Sequence, residues 1–255
     1  MKPKLFQYAA CPFCNKVRSI LEYKGVDFET IEVHPLNKKE IGFSADYRAV
    51  PIYIDSEGKQ INDSTPIMRR IDEEFPTPKV FKTDSEEAGK DELWLAWSEK
   101  LVKGLPTAIY NSISNALSAF DYITRISKFG WFEKRMIKYT GAFVMMLVSK
   151  KIRKREQIDQ PEEFVKQMAK EWGDGLGGQP FMGGDKPSAS DLSVFGITRP
   201  VSDLRAGKLL EDNQEFSAWV KRMQKALATS PVQLTGESPL AQNAVAAIQT
   251  KRSPR

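Results

Sequence analysis

The sequence contains only two cysteines and one histidine among its 255 residues. Two cysteines are too few for the disulfide framework that stabilises small secreted proteins. A structural zinc site needs about four Cys or His ligands, so we expect no metal site. The single histidine, His34, stands before Pro35 in a predicted loop. A solvent-exposed side chain is favoured there over a member of a Ser-His-Asp or Cys-His catalytic group.

The sequence also lacks an apolar run of the roughly 20 residues that a membrane-spanning helix needs. Its first residues lead straight into a strand-like segment and do not have the successive parts of a signal peptide. We therefore expect a cytoplasmic protein. An apolar stretch at residues 139–148 lies between basic residues. This pattern favours a core helix, with peripheral contact to an anionic membrane as the alternative.

Charge of one sign does not dominate the sequence. The formal net charge is +5, and the 28% of charged residues include both signs along most of the chain. Such mixing is typical of a solvated surface. Because no aromatic and basic recognition motif accompanies the excess of Lys and Arg, we expect no nucleic-acid partner.

The first third of the chain follows the pattern β-α-β-α-β-β-α, which predicts an α/β thioredoxin-like domain over residues 1–76. A helix separates the first two strands, so these must be parallel and joined by a right-handed crossover. The predicted strands are residues 4–8, 28–33, 50–54 and 60–61, with helices from the first cysteine to Gly25, in the polar stretch before the third strand, and after residues 62–64.

Helical patterns dominate the rest of the chain, and no convincing strand follows the first domain. We predict a linker over residues 77–90, an all-α domain over 91–229 and a disordered tail over 230–255. The helical patterns after the linker start near Leu93 and continue at residues 109–126, 131–154, 162–172, 189–198 and 214–228.

The two cysteines form the motif Cys11-Pro12-Phe13-Cys14, between a strand and a helix. A helix N-terminus stabilises a thiolate through its unpaired N–H groups and partial positive charge. Cys11 is therefore the predicted nucleophile and Cys14 the predicted resolving thiol, with positive charge from Lys16 and Arg18 nearby. The alternative is an inert pair of cysteines in a turn.

Two further motifs indicate a glutathione site. Val50-Pro51 stands before a strand, where a cis-proline would present the backbone of Val50 to an extended ligand; a plain edge-strand start is the alternative. Asp63-Ser64 caps a predicted helix. The N–H and hydroxyl of Ser64 would hold a carboxylate, and Asp63 would hold an ammonium group. As a simple N-cap, however, the same pair would be unremarkable.

With these motifs, the chain is similar to known families. Residues 8–14 resemble the glutaredoxin motif, and the two predicted domains resemble a glutathione transferase with its all-α C-terminal domain. Ser188 and Asp191 resemble that family's helix capping box, which is structural. The chain also resembles the prostaglandin E synthase 2 family, most strongly at residues 8–18, 120–151 and 180–187.

This last resemblance implies a glutathione-binding homodimer that isomerises prostaglandin H2 to prostaglandin E2. The implied catalytic residues are Tyr8, Cys11, Phe13 and, as the second thiol, Cys14. The implied glutathione contacts are Val50, Pro51, Asp63 and Ser64. Haem binding is in doubt, because the basic stretch at residues 150–156 contains no histidine.

The substrate stays open at this point. A small-molecule peroxide, an endoperoxide and a mixed disulfide are all compatible with the motifs. Two other functions are alternatives to an isomerase. One is a glutaredoxin-like disulfide oxidoreductase that uses both cysteines, and the other is a non-catalytic protein that binds glutathione with haem or a lipid.

Overall fold

A computed structural model describes residues 1–35, 37–83, 85–126 and 131–228 of the chain. Its sheet has four strands in the order β2-β1-β3-β4. Strands β1 and β2 are parallel, as predicted, whereas β3 runs antiparallel to β1 and β4 antiparallel to β3. The strands are β1 (Lys4–Gln7), β2 (Glu29–Glu32), β3 (Ile52–Ile54) and β4 (Gln60–Asn62).

Nine α-helices accompany this sheet in the described part of the chain. They are α1 (Pro12–Lys24), α2 (Ser64–Glu74), α3 (Ser85–Ile109), α4 (Ile113–Ile126), α5 (Trp131–Glu156), α6 (Pro161–Leu176), α7 (Ala189–Thr198), α8 (Arg205–Glu211) and α9 (Gln214–Ala228). The predicted arrangement, a thioredoxin-like unit followed by helices, is confirmed. The predicted disordered tail lies outside the described residues.

The structure differs from what the sequence predicts at three places. The polar stretch before β3 forms only a short 3₁₀ helix, Lys39–Ile41, and not a full helix. Helix α3 begins at Ser85, inside the segment predicted as a linker. Helix α8 was not predicted; it has only seven residues, too few for a helical period to stand out. The division into domains at residues 76 and 91 stays a prediction.

Helix α1 packs closely against α7 because α7 carries a glycine at the contact. A Cβ atom on Gly196 would lie 2.6 Å from the backbone of Lys16 and from the carbonyl oxygen of Asn15. Both backbones therefore approach more closely than any side chain would allow. This contact fixes the helix that carries the cysteines against the helical part of the molecule.

A buried ion pair anchors the segment that connects the sheet unit to α3. The ammonium group of Lys24 lies 2.7 Å from the carboxylate of Asp72, and neither side chain is more than 1% exposed. The same carboxylate accepts the backbone N–H groups of Val80 and Phe81 at 3.0 and 3.2 Å. Lys24 also donates to the carbonyl of Phe75. The connecting segment is therefore bound tightly to α1 and α2.

Only one side of helix α5 packs against the rest of the described chain. Its glycine, Gly141, allows the ring of Phe120 to pack against the helix, and Ala142 is buried. Its opposite side is open to solvent, with the following exposed apolar residues: Tyr139, Phe143, Val144, Leu147 and Val148. The expectation of a core helix is therefore wrong for this side. Within the described residues, no helix has the length and apolar character to cross a membrane.

Candidate thiol site

The two cysteines lie where the sequence places them, at the start of α1. Cys11 is the N-cap residue, with an extended backbone, and Pro12 occupies the first helical turn. Cys11 is half-buried, whereas Cys14 has no exposed surface, and both are free thiols. The side chain of Asn15 donates to the carbonyl oxygens of Ala9 and Cys11 at 2.8 and 2.9 Å. These bonds hold the turn that presents the Cys11 thiol.

The surroundings of the two thiols separate their pKa values. A hydrogen bond from the Cys14 thiol lowers the pKa of Cys11, opposed by burial and assisted by the backbone N–H groups of Cys14 and Phe13. Burial raises the pKa of Cys14 well above its ordinary value. A thiolate on Cys11 is therefore favoured over one on Cys14. Their roles as nucleophile and resolving thiol stay predictions.

The remaining predicted catalytic residues flank these thiols. Tyr8 is half-buried, and its backbone oxygen accepts the N–H of Cys11 at 3.0 Å. Burial, followed by the charges of the two cysteines, raises the pKa of the Tyr8 phenol. Its hydroxyl therefore stays protonated and able to donate. Phe13 packs partly buried against the large apolar core, which orients the start of α1.

The predicted cis-proline is confirmed, because the Val50–Pro51 peptide bond is cis. Val50 packs against the same small apolar cluster as Tyr8, built on Phe6, Val33, Ile41 and Ile52. The N–H and C=O of Val50 form no hydrogen bond with any described residue. These groups are available to an extended ligand beside the thiols.

The predicted helix cap is also present. Asp63 is exposed, has a φ of 69°, and accepts the N–H of Ser64 at 2.6 Å as N-cap of α2. Ser64 is buried. The arrangement offers an exposed carboxylate beside a helix N-terminus, as an ammonium and carboxylate ligand requires.

The structure adds residues that the sequence analysis missed. Tyr47 packs beside Tyr8 in the small apolar cluster. Burial raises the pKa of Tyr47, followed by the charges of Asp63 and the two cysteines. The phenol of Tyr47 is therefore close enough to be influenced by the charges of both the helix cap and the thiols. Glu32 contacts the turn before Cys11 by accepting the N–H of Ala9 at 2.8 Å. Only its position at the end of a parallel strand could have indicated it.

The charges of Lys16 and Arg18 lie in ion pairs with carboxylates, which gives the direction that the sequence left open. The buried ammonium group of Lys16 lies 2.6 Å from the carboxylate of Glu99 on α3. Arg18 pairs with Glu22 at 3.3 Å, and Glu22 also pairs with Arg199 at 2.5 Å. These pairs join α1 to the helical part of the molecule. The Cys11 thiolate is stabilised instead by hydrogen bonds at the start of its helix.

Metal-binding clusters are absent from the described residues, since no group of three or more His, Cys, Asp or Glu side chains is placed to hold an ion. His34 lies in a loop, as predicted, and its backbone N–H donates to Glu40 at 2.9 Å. The candidate site thus consists of thiols, phenols, carboxylates and free backbone groups.

The fold is that of the glutathione transferases. Residues 5–79 match the family model for the glutathione S-transferase N-terminal domain. A rice glutathione transferase solved with glutathione has a TM-score of 0.63 at 13% identity and covers 99% of this chain and 98% of its own. A glutathione S-transferase from Rhodospirillum rubrum has a TM-score of 0.60 at 16% identity, over 92% of this chain and 95% of its own.

More similar relatives narrow this class. Prostaglandin E synthase 2 from Mus musculus and that from Danio rerio are each 32% identical to this chain, over 89% of it and 71% of theirs. The chain therefore belongs to the prostaglandin E synthase 2 family. Glutathione S-transferase omega-1 from Mus musculus is more distant, at 20% identity over 87% of this chain and 76% of its own.

Proposed function

We propose that this protein is a glutathione-dependent thiol enzyme that acts on the O–O bond of a peroxide or endoperoxide, as in the isomerisation of prostaglandin H2 to prostaglandin E2. The observation that carries the proposal is the position of Cys11. Its half-buried thiol, with a lowered pKa, lies at a helix N-terminus. The relatives named prostaglandin E synthase 2 support this choice of substrate class.

Glutathione is the proposed co-substrate. Its peptide backbone would pair with the N–H and C=O of Val50, beside the cis peptide bond to Pro51. Its γ-glutamyl ammonium group would bind the carboxylate of Asp63, and its carboxylate would replace Asp63 as the acceptor of the Ser64 N–H, which Asp63 accepts at 2.6 Å in this structure. The rice transferase solved with glutathione has the same fold. No observation on the described residues supports haem, and the proposal does not include it.

The proposed chemistry begins with a thiolate on Cys11 or on bound glutathione. The thiolate attacks one oxygen of the O–O bond, so an S–O bond forms and the other oxygen leaves as an alkoxide. Tyr8, which stays protonated, donates to this alkoxide. The carbon that carries the S–O group then gives its proton to solvent, a ketone C=O bond forms, and the S–O bond breaks and releases the thiolate, while solvent returns a proton to Tyr8. This series of reaction steps is an isomerisation and needs no external oxidant or reductant.

Product analysis tests this proposal. The protein would be incubated with glutathione and a small panel containing an endoperoxide, a hydroperoxide and a mixed disulfide. Rearranged or reduced oxygen products are the expected result. Turnover of the disulfide alone would favour a glutaredoxin-like oxidoreductase. Glutathione binding without any turnover would favour a binding protein instead.

A Cys14→Ala variant separates one-thiol from two-thiol chemistry. The Cys14 thiol is fully buried and has a raised pKa, so we expect peroxide turnover to continue, with kcat reduced by about tenfold or less. The reduction follows from losing the hydrogen bond that lowers the Cys11 pKa. Steady-state kinetics at several pH values would show the rate recovering at higher pH. Complete loss of turnover at every pH would instead establish the two-thiol route.

An Asp63→Asn variant tests the glutathione subsite. Asparagine tolerates the positive φ of this position but removes the charge that would bind the ammonium group. We expect KM for glutathione to rise by about tenfold with kcat nearly unchanged. Asp27→Asn is the matched control, because Asp27 is exposed and pairs with Lys2. An unchanged KM in Asp63→Asn would place the γ-glutamyl group elsewhere.

The proposed partners are a small-molecule substrate and a second copy of the chain, and both rest on the family. Peripheral membrane contact also stays a proposal. The exposed apolar side of α5 supports it, since Phe143 and Leu147 are 59% and 48% exposed there. The basic residues that follow on the same helix, including Lys150 and Lys151, would face anionic headgroups.

A further inference from the structure

Glu32 joins the end of β2 to the turn that leads into Cys11. One carboxylate oxygen accepts the N–H of Ala9 at 2.8 Å, and the other accepts the side-chain amide of Gln7 at 3.4 Å. Strand β2 is the outer strand of the sheet beside β1. Glu32 thus reaches over the carboxyl end of β1, directly behind the residues that present the thiol.

The carboxylate of Glu32 faces the ionisable groups of the site. After the larger effects of hydrogen bonding and burial, its charge acts to raise the pKa values of Cys14 and Tyr8 and opposes the lowering of the Cys11 pKa, because each group becomes negative when it loses a proton. From α1, Arg18 is the cation that faces Glu32. A second carboxylate, that of Glu40, also faces Tyr8. Glu32 is therefore the carboxylate shared by both thiols and the phenol.

We propose that Glu32 is a positioning residue that holds the turn before Cys11 and, through its negative charge, sets the pH range in which the Cys11 thiol reacts. The hydrogen bond to Ala9 is the positioning part, since it fixes the backbone two residues before Cys11. The negative charge of Glu32 opposes the stabilisation of the Cys11 thiolate by the helix N-terminus. The thiol therefore ionises at a higher pH than it would with the helix alone. This inference rests on the proposed role of Cys11 as the reactive thiol.

Alkylation of Cys11 by iodoacetamide across a range of pH tests the proposal, with modification read by tandem mass spectrometry. Glu32→Gln keeps an oxygen that accepts the Ala9 N–H but removes the charge. We expect the midpoint of the rate profile to move down by about half a pH unit. Below the midpoint, the rate would rise by about twofold. Glu29→Gln on the same strand is the matched control, because Glu29 pairs with Lys4 at 3.5 Å, and its profile would not move.

Two further variants separate charge from position. Glu32→Asp keeps the charge at a greater distance, so its midpoint would move by less than that of Glu32→Gln. Glu32→Ala removes both charge and acceptor, so its midpoint would move as in Glu32→Gln, and KM for glutathione would also rise. If Glu32→Gln unfolds, the Glu32→Ala profile decides the question. An unmoved midpoint in the folded charge variants, or an equal movement in Glu29→Gln, would overturn the proposal.

The alkylation assay requires neither glutathione nor a peroxide. A wild-type protein without turnover would count against the proposed function but would leave the expected movement of the midpoint unaffected. Conversely, normal turnover with an unmoved midpoint would retain the proposed function and remove Glu32 from it. The two hypotheses therefore fail through different measurements.

Discussion

Replacing Cys11 by serine is expected to reduce kcat/KM for the peroxide substrate by about a thousandfold or more. A serine hydroxyl occupies nearly the same space as the thiol but does not ionise near neutral pH. The hydrogen bonds from Cys14 and the backbone at the start of α1 would then stabilise no nucleophile. Steady-state kinetics with glutathione and peroxide would measure the loss.

The same variant must keep its fold for this loss to identify the nucleophile. We expect its unfolding midpoint and glutathione affinity to stay near those of the wild type, because Cys11 is a half-buried N-cap residue and serine is favoured at that position. The ultraviolet absorbance of the thiolate, titrated with pH, should disappear. Full turnover of every substrate by Cys11→Ser would show that the thiolate comes from glutathione alone.

Local patterns predicted the thiol helix and the two motifs that we propose bind glutathione. A strand, a cysteine motif and a helical period follow one another within residues 4–25, and a helix-capping pair stands at Asp63-Ser64. Each of these elements depends on neighbours a few residues away. The structure accordingly reproduces α1, α2 and the cis bond before Pro51.

Contacts between distant residues could not be predicted in the same way. Glu32 meets the turn before Cys11 across 23 residues of sequence, and Tyr47 approaches the site only because its segment folds back over the small apolar cluster. The directions of the Lys16 and Arg18 side chains likewise depend on helices that follow much later in the chain. A single sequence shows the charges but not the elements that they face.

Helix α5 shows a related limit. Its apolar residues favoured burial, since apolar surface usually lies inside a folded protein. Hydrophobicity alone, however, does not say what covers a helix. The structure buries Ala142 and Ser149 while leaving Phe143 and Val144 exposed. The sequence therefore predicted the helix itself but not which side of it would contact the rest of the chain.

Asp191→Asn is the substitution expected to cost the most stability. Asp191 is fully buried, and its carboxylate accepts four N–H donors, the backbone N–H groups of Met182, Gly183 and Ser188 and the indole N–H of Trp219, at 2.8–3.1 Å, with the Ser188 hydroxyl at 3.2 Å. Through these bonds it joins the cap of α7 to α9 and to the loop before α7. An asparagine offers one acceptor oxygen and turns an NH₂ group towards donors, leaving buried N–H groups unpaired.

The expected loss is about 3–5 kcal/mol of unfolding free energy, a large part of the roughly 5–15 kcal/mol typical of a folded domain. Urea unfolding followed by tryptophan fluorescence would measure it, because Trp219 is buried and lies beside Asp191. Asp174→Asn is the matched control, since Asp174 is exposed and pairs only with Lys170 at the surface. Equal urea midpoints for the two variants would show that the hydrogen bonds to Asp191 contribute no net stability. A selective loss in Asp191→Asn would instead identify this carboxylate as the group that holds α7 in place, and with it the Gly196 contact against which the thiol helix packs.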